Sequence, residues 1–393
     1  MDSTDTLLNR GVDKVYPSRE ALEKVLKSGK KLKLYQGFDP TGINLHIGHM
    51  VGLMKLRQFQ KAGHEVIFLI GDGTGQAGDP SGKTRSRDKY LTNEQLRKNA
   101  KDYVMQAKRI VDFDGPNGVR IMYNGDWLNK LTLSEVLNIA GHFTAQQMNE
   151  RDLFQERYKN NIPLNLREFM YPLLQGYDSV VMDVDMEIGG SDQTFNMLAG
   201  RQLMKAMKGK DKFVLSTVLI SDKFGKKIGK TEGNAISLTD KPEDLYGKIM
   251  SFPDEVIVQC LECLTEIPME DINVIADKIK NGDNPMKFKK LLAFEVVKLL
   301  NSEKDAQAAQ AFFEQAHQQG STTDLKNAQV VSGNGELLKD VIIKNLGLSI
   351  SAIKQLVYQK AIDVNGLAVN DVKMKLKTED MVRVGKKHIF KIK

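Results

Sequence analysis

The sequence predicts an α/β protein: a doubly wound parallel sheet, then an all-α region, then a small α+β module. Three observations carry this. Two strand-like runs, LKLYQGF and EVIFLIGDG, flank a helical stretch within about 40 residues, the β-α-β unit of a parallel sheet. From about Pro242 to Gly320 the apolar spacing is helical throughout. The chain ends in short strands, IDVNG, DMVRVG and HIFKIK, beside one clear helix, SISAIKQLVYQKA.

The elements follow in order. EALEKVLKSGKK is an amphipathic helix from about Ser18, and LKLYQGF a buried strand. His46 to Lys61 carries apolar residues at helical spacing and stops at Gly63. EVIFLIGDG lacks polar alternation, as expected where both sheet faces are covered. Thr92 with Gln95, and Thr132 with Glu135, have the spacing of capping boxes, with a strand, GVRIMYN, between them. LREFMYPLLQGYDSVVM is a helix, DMEIGG a strand, SDQTFNMLAGRQLMKAM a helix and KFVLSTVLI a strand. GSTTDLKNAQVVSGNG is a polar, Gly-containing linker at about 321–335. The sheet class is therefore Rossmann-like.

Bulk properties bound the function. At 393 residues there is room for two or three domains with real cores. The longest apolar runs, such as Val66 to Ile70, are about five residues, against the roughly 20 that a spanning helix needs, so no membrane association is expected. MDSTDTLLNRG lacks the basic start and apolar stretch of a secretory signal. Cys260 and Cys263 form C-x-x-C without a thioredoxin-like pattern or two further zinc ligands, so they are expected to be reduced, partly buried thiols in a cytoplasmic protein. The net charge is +7, and residues 336–393 carry 12 Lys/Arg against 6 Asp/Glu. The excess therefore sits in a segment that also has an apolar pattern, which suggests a folded nucleic-acid-binding module over a solvated tail.

Four stretches could carry chemistry. YQGFDPTGINLHIGHM places His46 and His49 where a strand gives way to a helix. A helix beginning there aims free N–H groups at an anion, and Gly48 lets a ligand approach the backbone. A surface pair or zinc are the rivals, but no convincing third zinc ligand stands out. GDPSGKT resembles a nucleotide P-loop but misses by one position, because Ala77 stands where the first Gly belongs. Lys83 and Arg87 in that loop remain candidates for phosphate. DKFGKKIGKTEGN, Asp222 to Asn234, combines lysines with three glycines: a solvated turn or a mobile clamp on phosphates. Tyr171, Gln175 and Asp178 fall at i, i+4 and i+7, on one face of a helix, and GGSDQ follows at a strand-to-helix turn, the usual ligand edge of an open parallel sheet.

Together these pieces resemble the class I aminoacyl-tRNA synthetases, specifically bacterial-type tyrosyl-tRNA synthetases. HIGH, His46 to His49, is similar to the first family signature, and KIGKT, Lys227 to Thr231, to its second, KMSKS. YQGFDPT, GDPSGK, YPLLQGYD and GGSDQ follow the family pattern too, and the resemblance spans essentially the whole chain. The second signature departs by Ile and Gly for Met and Ser, and KFGKK, Lys223 to Lys227, is an overlapping alternative. Thr194 stands where many relatives carry tryptophan.

The resemblance implies a ligase that activates L-tyrosine with ATP and transfers it to tRNA(Tyr), with Mg²⁺ accompanying ATP and no structural metal. It implies that Tyr35 and Asp178 bind the substrate phenol, that Asp79, Tyr171 and Gln175 hold its ammonium, and that Gln193 lies near its carboxylate. Asp39 would contact the adenylate and Asp192 the ribose. Thr41, His46 and His49 would stabilise the phosphates, with Gly48 allowing close nucleotide packing. Lys83, Arg87, Lys227, Lys230 and Thr231 would grip pyrophosphate. The implied domains are a catalytic domain at 1–238 with a helical insertion at about 80–185, an anticodon-arm-binding helical domain at 239–320, the linker, and a ribosomal-protein-S-four-type RNA-binding domain at 336–393. A homodimer is expected, seated around Tyr123 to Ala140. A tryptophan-specific relative, a P-loop NTPase and a non-catalytic RNA-binding derivative are the competing readings.

Overall fold

The computed structural model describes residues 3–42, 44–81, 89–221, 236–358, 361–365, 367–385 and 388–393. The chain divides into two compact units, Met1–Gln310 and Ala311–Lys393.

The first unit is built on a six-stranded sheet: β1 (Val12–Tyr16), β2 (Lys33–Phe38), β3 (Glu65–Ile70), β4 (Arg120–Tyr123), β5 (Met186–Gly190) and β6 (Phe213–Thr217). Its order is β1-β6-β5-β2-β3-β4. All neighbours are parallel except β1, which runs antiparallel to β6 on the edge. The chain winds outward from β2 to β4, returns to β5 on the other side of β2, and winds outward again. The strand order therefore reverses between β2 and β5, and a crevice opens at their carboxyl ends.

Residues Val66 to Ile70 of β3 are all buried, matching a strand covered on both faces. The Ile47–Lys61 helix buries Met50, Leu53, Leu56 and Phe59. Ser18 caps the Arg19–Lys27 helix by accepting from the Ala21 N–H at 3.2 Å, and the capping boxes at Thr92/Gln95 and Thr132/Glu135 both form. The helices Leu166–Met182 and Thr194–Lys208 meet at paired glycines: a Cβ on Gly176 would lie 3.0 Å from the Gly200 nitrogen. The segment predicted as one helix from Ser191 instead opens with a 3-10 turn, Ser191–Gln193.

Several expectations need correcting. β1 and the Ser3–Asn9 helix went unread; β1 is an edge strand with no buried residue, so its sequence shows no clean alternation. Residues 239–310, expected as part of a separate helical domain, belong to the same compact unit as the sheet. Arg10 shows why: its guanidinium donates to the carbonyls of Glu262 (2.8 Å), Ile267 (2.7 Å) and Thr265 (2.6 Å), crossing from one region to the other. Cys260 and Cys263 are fully buried and free, with burial pushing the Cys260 thiol well above its ordinary value.

The stretch 321–335, expected as a linker, contains regular structure. The helix Glu303–Asn327 occupies its start, and β7 (Gln329–Val331) then joins the second sheet. That sheet comprises β7, β8 (Ile362–Val364), β9 (Leu367–Ala368), β10 (Met381–Val384) and β11 (His388–Ile392), in the order β7-β11-β10-β8-β9. A second helix, Leu338–Leu346, accompanies the expected one at Ile350–Tyr358 and buries Leu338, Val341 and Ile342 in the core. It is short and has no side-chain N-cap, so its start carries no local signal.

Lys55, in the Ile47–Lys61 helix, is only 2% exposed; its ammonium donates to the Leu7 carbonyl at 3.1 Å and to Gln58 Oε1 at 2.7 Å. Burial lowers its pKa from 10.5 to about 7. A base whose folded value is depressed binds its proton less readily than in the unfolded chain. Stability therefore rises with pH between about 7 and 10.5, and the penalty is complete below that window. Urea unfolding of wild type and Lys55→Met at pH 7 and pH 10 tests this: wild type should gain stability relative to the variant as pH rises. Equal changes in the two proteins would place the charge elsewhere.

Candidate active site

The crevice between β2 and β5 opens into a cavity of about 320 Å³. Every predicted site residue that falls among the described ones lines it: Tyr35, Asp39, Thr41, His46, Gly48, His49, Asp79, Tyr171, Gln175, Asp178, Asp192 and Gln193. Lys83, Arg87, Lys227, Lys230 and Thr231, with the alternative stretch Lys223 to Lys227, lie outside the described residues.

At the carboxyl end of β2 the two histidines open a helix. His46 is its N-cap, and its Nδ1 accepts the Gly48 N–H at 3.1 Å. His49 Nδ1 in turn accepts the His46 N–H at 3.1 Å, and the rings stack with centroids 3.8 Å apart. Both Nδ1 atoms are acceptors, so a neutral ring must carry its proton on Nε2, where it is a donor. The helix terminus adds its positive dipole end. Among the described residues no group of three or more His, Cys, Asp or Glu could hold a metal ion. The chain that the structure describes from Ile236 onward is tied to the histidine motif. Ile47 N–H donates to the Ile236 carbonyl at 3.0 Å, and Leu238 N–H to the Leu45 carbonyl at 3.0 Å.

The other wall is the Leu166–Met182 helix, whose polar stripe faces the cavity as its spacing predicts. Tyr171 donates to Asp39 Oδ2 at 2.9 Å, and Thr74 to Asp39 Oδ1 at 2.7 Å. Gly71 makes room for this: a Cβ there would lie 1.9 Å from Asp39 Oδ1. Asp178 accepts from Asn124 Nδ2 at 2.9 Å and from Trp127 Nε1 at 2.8 Å. Burial nevertheless pushes its carboxyl well above the usual range, and these two donors only partly oppose that. Burial also raises the Tyr35 and Tyr171 phenols, reinforced by Glu187 and Asp178 at the first and by Asp39 at the second, so both stay neutral donors. Gln193 Nε2 donates to Asp79 Oδ2 at 2.8 Å, while Asp79 Oδ1 accepts the Ser81 N–H at 2.8 Å. Thr194, the departure from the family pattern, closes the 3-10 turn by donating to the Ser191 carbonyl at 2.8 Å.

Sequence reasoning missed the residues that hold these side chains in place. Asn124 and Trp127, which hold Asp178, follow the carboxyl end of β4, and Asp72 fixes the backbone between them. The buried Asp72 carboxylate accepts the Gly125 N–H at 2.6 Å and the Arg97 Nε at 2.6 Å. Glu187, Lys212 and Ser179 form a further buried group against Tyr35 and Gln175. None has a spacing signal, since the contacts join residues of separate elements: Asn124 and Trp127 to the Leu166–Met182 helix, and that helix to β5 and Lys212.

Such a cavity suits a small zwitterion with a buried polar ring at one end and a polyanion at the other. Comparison with known proteins agrees. The family model for class I tRNA synthetases (W and Y) matches residues 27–318. A tyrosine–tRNA ligase of Mannheimia succiniciproducens is 40% identical, over 98% of this chain and 97% of that one. One from Thermotoga maritima is 37% identical, over 98% and 96%. The chain belongs to the tyrosyl-tRNA synthetase family. Its fold is similar to that of a C-terminally truncated mitochondrial tyrosyl-tRNA synthetase of Aspergillus nidulans, with a TM-score of 0.67 and 26% identity, over 80% of this chain and 93% of that one. An Archaeoglobus fulgidus tyrosyl-tRNA synthetase solved with L-tyrosine shares the fold at 21% identity and a TM-score of 0.61, over 79% of this chain and 100% of that one.

The seat of Asp39 is testable. Gly71→Ala should displace its carboxylate and cut tyrosine-dependent ATP–pyrophosphate exchange at least about tenfold, the cost of roughly 1.4 kcal/mol. Gly247→Ala, where a Cβ meets nothing within 4 Å, should leave exchange unchanged.

Proposed function

We propose that this chain joins L-tyrosine to tRNA(Tyr) in two steps within the one cavity, with the site residues in the following roles. The tyrosine carboxylate attacks the α-phosphorus of ATP, forming tyrosyl-adenylate and releasing pyrophosphate. A terminal ribose hydroxyl of the tRNA then attacks the acyl carbonyl, and AMP leaves. The first nucleophile is already an anion at neutral pH and needs no general base. Alignment and stabilisation of phosphoryl charge are what the protein supplies.

Tyr35 and Asp178 take the phenol, while Asp79, Tyr171 and Gln175 take the ammonium. The unpartnered, buried Gln175 Oε1 supports this last assignment, since it is an acceptor waiting for a donor. Gln193 lies by the carboxylate, Asp39 by the adenylate and Asp192 by the ribose. Thr41, His46 and His49 donate to the phosphates, with Gly48 leaving the nucleotide room. Lys83, Arg87, Lys227, Lys230 and Thr231 grip pyrophosphate, by motif position. Mg²⁺ arrives with ATP as the counter-ion of its phosphates. The observation that carries this reading is the buried Asp178 and the stacked histidines lining one cavity. Phenylalanine would leave Asp178 and Tyr35 without the phenol they bind, and a site built to hydrogen-bond a hydroxyl rejects the analogue that lacks it.

The chain acts as a cytoplasmic homodimer. The exposure of Leu133 (74%) and Leu137 (62%), one turn apart on the Leu133–Ala140 helix, supports an apolar contact there. The basic second unit binds the tRNA by shape and phosphate contacts.

Pyrophosphate exchange with tyrosine, tryptophan or no amino acid tests the activity. Exchange should require tyrosine, and Asp178→Ala should abolish it or its selectivity; unchanged adenylation of tyrosine would remove Asp178 from the pocket. Deleting residues 328–393, which takes out the whole second sheet, should spare exchange and cripple tRNA charging. Charging at full rate would assign that unit another task.

A further inference from the structure

In the cavity wall, at Glu187, lies a buried ion pair that the reaction does not use directly. Lys212 is fully buried, and its ammonium contacts Glu187 Oε2 and donates to Ser179 Oγ at 2.8 Å. Glu187, 1% exposed, accepts from Gln175 Nε2 at 2.9 Å through its other oxygen. Ser179 Oγ lies 2.9 Å from the Tyr35 hydroxyl. The space for the ammonium is made at the helix crossing, where a Cβ on Gly200 would lie 2.6 Å from Lys212 Nζ. The Lys212 charge also sits over the Tyr35 ring, 5.8 Å from its centroid.

We propose that Lys212 and Glu187 are positioning residues that fix the direction of hydrogen bonding at both ends of the amino-acid pocket, the phenol end through Ser179 and Tyr35 and the ammonium end through Gln175. This rests on the reading that Tyr35 and Asp178 bind the phenol and Gln175 the ammonium.

The direction follows from what each group can do. An ammonium only donates and a carboxylate only accepts. Glu187 therefore forces Gln175 to present its NH₂ group to it, and the amide cannot turn over. Gln175 Oε1 is left as a buried acceptor in the cavity wall. At the other end, Lys212 occupies one lone pair of Ser179 Oγ. The serine proton then has a single acceptor among the described residues, the Tyr35 oxygen. Tyr35 receives that proton, so its own O–H is left to donate, either to Glu187, which also reaches it, or to a substrate phenol in the cavity. A substrate phenol would accept from Tyr35 and donate to Asp178. Remove the pair, and Tyr35 can instead spend its proton on Ser179, while Gln175 can turn its NH₂ toward the incoming ammonium.

Removing one member would strand the other as a buried charge, so the test uses the neutral double variant Glu187→Gln/Lys212→Met and, separately, Ser179→Ala. Tyr35→Phe is the reference for the underlying reading. ATP–pyrophosphate exchange gives KM for tyrosine, KM for ATP and the tyrosine-to-phenylalanine ratio of kcat/KM, alongside a thermal melt. The double variant and Ser179→Ala should each raise the tyrosine KM and lower the selectivity ratio by about tenfold, about what one hydrogen bond of 1.4 kcal/mol is worth. The ATP KM should stay within about twofold, which a general loosening of the fold would not allow. If the double variant does not fold, Ser179→Ala decides. Tyrosine KM and selectivity unchanged in folded variants, with Tyr35→Phe altering both, would overturn the inference alone. If Tyr35→Phe changes neither, the phenol reading falls and the inference with it.

Discussion

The pairing of β2 with β3 on one side and β5 on the other is the constraint from which the site follows. Parallel strands need long right-handed crossovers, and the two halves of this sheet wind away from each other across that boundary. No crossover covers the carboxyl ends of β2 and β5. The loop leaving β2 runs into the histidine helix, and the turn leaving β5 carries Asp192 and Gln193. Residues about 150 positions apart therefore share one crevice.

Within that crevice the low dielectric does most of the sorting. Burial keeps the Tyr35 and Tyr171 phenols protonated and raises the Asp178 carboxyl. Those groups present directed donors and acceptors to the cavity, beside the carboxylates of Asp39, Asp79 and Asp192. The polyanion end is built differently, from a helix terminus and two rings whose Nδ1 atoms are committed to backbone N–H groups. Both designs avoid the large desolvation penalty of a bare buried charge. The Lys212–Glu187 pair accepts that penalty, and its geometry shows a use for it in orienting neutral groups.

Much of this was legible along the chain. The polar stripe of Tyr171, Gln175 and Asp178 needs only the helical repeat to share a face, and the continuous apolar run of β3 announces a covered strand. Capping boxes at Thr92 and Thr132 mark helix starts because both partners lie within one turn. The failures have the opposite character. β1 takes its place by pairing with β6, some 200 residues away, and β7 joins its sheet through β11 at the end of the chain. A polar, Gly-containing stretch such as 321–335 looks like a linker until distant strands supply its partners.

By itself, the sequence determined the fold class and the family, and it named a dozen of the residues that line the cavity, because repeats, caps and signature motifs are local. Only the tertiary structure decided what holds those residues: Asn124 and Trp127 on Asp178, Asp72 on the backbone between them, Thr74 and Gly71 around Asp39, and Lys212 with Glu187 and Ser179. These contacts join side chains from separate strands and helices. Hydrogen-bond direction depends on distances of a few ångströms between them, and no spacing along the chain encodes those.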